Sequence, residues 1–183
     1  TQTQGVAVGA RSGTTNAFGY DVNVLGSNGT DVGFAQLGFK ISNGTGLDGT
    51  VLGALPVVDG AITIHAMNDL RTTGGNASDT YAQVGHVGAG VVGNVLESTD
   101  EALASAMIGV TVGNDIAFSG GGGEFAYAQL GQGGKRAFGD HAGSAILTAG
   151  NDIIFSGGSG IVAYAQLGQG GYRSQGQFRG TTT

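Results

Sequence analysis

The chain has 183 residues, of which 39 are glycine, one is proline and none is cysteine. Its 40% hydrophobic content against 11% charge is enough apolar material for one core. This excludes collagen, which needs glycine at every third position with abundant proline, and argues against disorder, which goes with high charge and few apolar residues. The formal net charge of −6 rests on 13 acids and only 7 Lys/Arg. So few scattered bases form no phosphate-binding surface, and nucleic acid is not an expected partner. No apolar run reaches the ~18 residues of a membrane span, so no membrane insertion is expected. Without cysteine there are no disulfides or thiolate metal sites. Because interior glycine costs a helix about 1 kcal/mol, the composition points to β-structure turned by glycine.

Taken in chain order, the first predicted strand is Gly5 to Ala10 (GVAVGA). Asp21-Val22-Asn23-Val24 follows, with Val22 and Val24 on one face, and then Phe34-Ala35-Gln36-Leu37-Gly38. Gly44 to Gly49 (GTGLDG) has the spacing of a dinucleotide-binding loop, but Pro56 and no helical pattern follow, so it fails in context. Asn68-Asp69 and Tyr81-Ala82-Gln83-Val84-Gly85 then repeat the earlier pattern. Residues 98–107 (STDEALASAM) predict one short helix, with Ser98 or Thr99 as its cap. Residues 113–133 (GNDIAFSGGGGEFAYAQLGQG) and 150–170 (GNDIIFSGGSGIVAYAQLGQG) are near-copies, with Asp115 and Asp152, Phe118 and Phe155, and Tyr127 and Tyr164 each 37 apart.

Three short strands per repeat, separated by Gly-Asn and Gly-rich turns, predict an all-β fold: a parallel β-helix, or solenoid, of about four coils. Crossover bias makes it right-handed. A glycine-rich excursion loop closes each coil. The chain is one domain, 1–183, with approximate repeats 1–46, 47–93, 94–134 and 135–183 and loop insertions about 39–59 and 86–106. Equivalent residues then stack roughly 4.8 Å apart. The chain starts at Thr1 and shows no cap, which suggests a segment of a longer array or a unit whose ends stack on other copies.

The third strands align two columns: Phe34, Tyr81, Tyr127 and Tyr164 beside Gln36, Gln83, Gln129 and Gln166. Three readings are open. The glutamine amides form a hydrogen-bonded ladder, the rings form an exposed stripe for sugars, or the excursions fold over both columns and bury them. Asp69, Asp115 and Asp152 each follow an asparagine at a turn. Stacked carboxylates repel, which a bound Ca²⁺ or a hydrogen bond to a turn N–H relieves; turn capping is the simpler reading, and these three are the only, weak, metal candidates. His65, His86 and His141 have no metal-ligand spacing and read as surface histidines, His65 aligning with Thr111 and Thr148. No nucleophile elbow or paired carboxylates appear, so neither catalysis nor a cofactor is expected.

The motif Tyr127 to Gly134 (YAQLGQGG) and its partner Tyr164 to Gly171 resemble the YAQIGHGG-type repeats of filamentous-haemagglutinin-like bacterial surface and secreted proteins. Gln132 and Gln169 stand where those repeats usually have histidine, His86 keeps it, and Phe39 replaces it. The resemblance implies a parallel β-helical shaft, extracellular or on the cell surface, with no catalytic residues to carry over. The expected function is a structural building block of a bacterial filament, fibre or adhesin shaft that assembles end to end, with itself as partner. The alternative is an adhesin module that binds a glycan or cell surface through the aromatic and glutamine face.

Overall fold

The computed structural model describes residues 4–29, 33–40, 57–90, 94–95 and 106–183. Among them the chain is all-β. A lone strand β1 (Gln4–Val8) precedes a first coil of β2 (Thr14–Gly19), β3 (Val22–Leu25) and β4 (Gly33–Leu37). The second coil has β5 (Val57–Val58), β6 (Ala61–Ala66), β7 (Leu70–Thr73) and β8 (Tyr81–Val84). The third has β9 (Asn94–Val95), β10 (Ile108–Val112), β11 (Ile116–Ser119) and β12 (Tyr127–Leu130). The fourth has β13 (His141–Ala142), β14 (Ala145–Ala149), β15 (Ile153–Ser156) and β16 (Ala165–Leu167), and β17 (Phe178–Arg179) follows.

Each strand pairs with its counterpart one coil away, always parallel. The sheets run β1-β4-β8-β12-β16, β14-β10-β6-β2, β15-β11-β7-β3 and β17-β13-β9-β5. The register is the one the repeats predict: Tyr127 opposite Tyr81, Phe118 opposite Phe155, and Thr111 between His65 and Thr148. This is the stacked architecture of a parallel β-helix. Its core is one continuous column set, because period-2 alternation turns Ile62, Ile64, Leu70, Ile116, Phe118 and Leu130 inward, where they are completely buried. Each such side chain contributes about 1.5–3 kcal/mol of burial.

Two local assignments differ from the sequence reading. The segment Gly5 to Ala10 is not a first strand: β1 lies against β4, with Val6 opposite Ala35 and Val8 opposite Leu37. The first-strand place belongs to β2, where Thr15 and Ala17 face Ile62 and Ile64. Its inward residues are a threonine and an alanine and its outward Phe18 is exposed, which inverts the usual apolar signal. The excursions are also more ordered than loops, since β5, β9, β13 and β17 form a fourth sheet. Val58, Val87, Ala106 and Ala137 make a small second core under them. The predicted helix over 98–107 lies outside the described residues except for Ala106, in a turn with φ 60°, and Met107, which leads into β10. The GTGLDG segment also lies outside them.

Candidate functional site

The aromatic and glutamine columns run up the outer side of the β4-β8-β12-β16 sheet, and the excursions cover them. The rings stack nearly parallel: Phe34 on Tyr81 at 5.3 Å, Tyr81 on Tyr127 at 4.9 Å and Tyr127 on Tyr164 at 5.0 Å. Tyr81 and Tyr127 are only 3% and 1% exposed. Burial raises the pKa of both phenols, and pushes that of Tyr164 up to about 12. The Lys40 ammonium lies 4.9 Å from the centre of the Phe34 ring, a cation–π contact, and burial pulls its pKa down to about 8. Of the three readings left open, the geometry matches burial beneath the excursions. The exposed stripe of tyrosines required for sugar binding on this face is not there.

The glutamines do not bond to one another. Gln83 Nε2 donates to the carbonyls of His86 (3.2 Å), Gly131 (3.0 Å) and Gly133 (2.8 Å). Gln36 donates to Phe39 and Gly85, and Gln129 to Gly168 and Gly170. The third strand ends in a glycine turn whose carbonyls face these amides, and one amide serves the turns of two coils at once. Only the –NH₂ end can do this, since a carbonyl accepts and never donates. The Oε1 atoms of Gln36, Gln83 and Gln129 are left buried without a hydrogen-bond partner.

A second column, three residues after the glutamines, staples adjacent coils. The Gln169 Oε1 accepts from the Gln132 N–H at 2.6 Å, the Gln132 Oε1 from the His86 N–H at 2.6 Å, and the His86 Nδ1 from the Phe39 N–H at 2.8 Å. The far ends donate in parallel: Gln132 Nε2 to Ala106 O at 3.0 Å, Gln169 Nε2 to Gly143 O at 2.5 Å, and His86 Nε2 to Gly60 O at 2.7 Å. A neutral histidine protonated on Nε2 thus offers the same acceptor and donor as a glutamine amide. Histidine and glutamine therefore fill the same role at this position in successive coils. His86 and His141 are fully buried, which corrects their reading as surface residues; His65 is exposed and stacks on Phe18 at 5.5 Å.

A third column lies at the Asn-Asp turns, where Asp21, Asp69 and Asp115 each cap the coil after it. Asp69 Oδ1 accepts from Asn114 Nδ2 at 2.9 Å and from the Asp115 N–H at 3.0 Å; Asp115 Oδ1 does the same for Asn151 and Asp152. Asp21 caps Asn68 and Asp69, although it follows Tyr20 and carries no Asn-Asp signature. The Asp115 N–H, then the Asn114 amide and Arg71, hold the Asp69 carboxyl below its usual pKa. That stabilisation is present above the ordinary carboxylate value and is lost as pH falls through the lowered one. Among the described residues no three His, Cys, Asp or Glu side chains are grouped to hold a metal ion. Asp115→Ala should lower stability by about 1 kcal/mol, as loss of a cap does. The thermal midpoint should be the same in millimolar calcium and in EDTA; a calcium-dependent rise that Asp115→Ala abolishes would assign the column to metal.

Sequence reasoning placed the aromatic, glutamine and aspartate columns but missed the staple formed by His86, Gln132 and Gln169. Its signal was present as the histidine-to-glutamine exchange within the repeated motif. Comparison with protein-family models, curated proteins and solved structures found no match.

Proposed function

We propose that this protein is a structural, non-catalytic β-solenoid segment of an extracellular bacterial filament, fibre or adhesin shaft, elongated by stacking coil on coil. The observation that carries this reading is that its repeated polar columns are committed to the neighbouring coil. The glutamine amides, the His/Gln staples and the Asn-Asp turns all bond from one coil to the next. Side chains used in this way build a rod and leave little for chemistry on a substrate.

The apolar columns support elongation as well. Leu130 and Ile116 are completely buried, whereas Leu167 and Ile153, one coil further, are 37% and 47% exposed. At the other side Val6 and Val8 are exposed in register with Ala35 and Leu37. Among the described residues β1 and β16 each pair on one side only. An exposed core column beside an unpaired strand edge favours continuation by an equivalent coil. Head-to-tail stacking of this kind is heterologous and grows into rods when it does not close.

Sedimentation velocity and negative-stain microscopy over a concentration series test this. Rods that lengthen with concentration are expected, and Leu167→Lys, at an already exposed position, should shorten them without unfolding the chain. A wild-type protein that stays monomeric at every concentration contradicts end-to-end assembly.

A further inference from the structure

The staple column is chemically uniform except at one level. Between the second and third coils, and between the third and fourth, the acceptor for the neighbouring backbone N–H is an amide oxygen, of Gln132 and of Gln169. Between the first and second coils it is an imidazole nitrogen, Nδ1 of His86. An amide oxygen keeps its lone pairs throughout the range of ordinary pH. An imidazole nitrogen takes up a proton close to neutrality.

We infer that His86 makes the staple between the first and second coils acid-sensitive, while the staples of Gln132 and Gln169 at the next two junctions carry no group that titrates in this range. Both ring nitrogens of His86 are engaged with backbone: Nδ1 accepts from Phe39 N–H, and Nε2–H donates to Gly60 O. A proton from solvent can add only at Nδ1. It forms an Nδ1–H bond that points at the Phe39 N–H, so two donors meet where one hydrogen bond stood. The ring is fully buried and cannot turn to water without opening the turn. Protonation therefore breaks the staple and frees the Phe39 amide.

The charged groups around the ring do not offset this. Asp59 adjoins Gly60 and favours the charged ring, but desolvation outweighs it and the His86 pKa lies below the ordinary histidine value. Lys40 follows Phe39 and pairs with Val87, placing a cation on the facing turn. On the remaining side the Arg11 carbonyl receives the Gly60 N–H. Because the folded pKa is depressed, the staple is intact above the ordinary histidine value of about 6.5 and weakens as pH falls below it. In a solenoid each interface is a separate nearest-neighbour contribution, so the loosening stays local to this junction.

Amide exchange of the full chain at pH 7.5, 6 and 5, corrected for the intrinsic pH dependence of exchange, tests the inference. Protection of the Phe39 amide should fall by up to about tenfold per pH unit below pH 6.5, as expected for one linked proton. His86→Gln should abolish that fall while keeping the protection seen at pH 7.5. Gln132→His should transplant the sensitivity one coil onward, to the amide of residue 86. The inference is overturned if Phe39 stays protected at pH 5, if His86→Gln keeps the acid response, or if Gln132→His creates none.

Discussion

Gly131→Ala is expected to cost about 4 kcal/mol, whereas the equivalent change one coil further, Gly168→Ala, should cost about 1–2 kcal/mol. Both glycines follow the third strand with positive φ, 143° and 123°, so any side chain there is strained. A Cβ on Gly131 would also be driven into the carbonyl oxygen of Gly168, part of the next coil's backbone, which cannot move without breaking the ladder. A Cβ on Gly168 meets nothing within 4 Å. The difference between the two variants, read from denaturation midpoints, therefore measures how closely the coils approach. Equal losses would mean that backbone conformation alone selects glycine here.

Gln83→Glu keeps the shape of the side chain and removes the only group that three carbonyls share. A carboxylate in that place faces the oxygens of His86, Gly131 and Gly133 with no donor to offer. The expected loss at pH 7 is about 3–5 kcal/mol, as for a buried charge without a partner. The sign with pH follows from the raised folded pKa of such a group. Destabilisation is smallest below the unfolded glutamate value of about 4.3, where the protonated acid donates one hydrogen bond, and it grows as pH rises. A variant as stable as the wild type at pH 7 would mean that the amide does not hold the turn carbonyls.

The repeats carried most of the architecture. The matched strings at 113–133 and 150–170 set both strand positions and register, because in a parallel stack a repeat in sequence becomes a column in space. Other features left no such trace. In β2 the inward residues Thr15 and Ala17 are weaker apolar signals than the outward Phe18, so the strand left no apolar alternation to read, and the first-strand place fell to Gly5 to Ala10. The fourth sheet is built from two-residue strands, too short to show alternation. The aspartate column lost its first member because Tyr20 stands before Asp21 where the later coils have asparagine.

The site was legible as columns but not as bonds. Stacking by type suggested that glutamine would bond to glutamine. The turn after the third strand instead presents carbonyls that need donors more than the amides need each other. The interchange of His86 with Gln132 and Gln169 was visible in the motif, and its cause lies in hydrogen-bonding roles that residue type alone does not convey.

Cryo-electron microscopy of the purified protein, resolved along the long axis, tests the central claim most directly. The account predicts rods with layers about 4.8 Å apart and Tyr81, Tyr127 and Tyr164 in one column beneath the excursions. Compact particles without axial layers, or layers that place these three tyrosines in different columns, would contradict it.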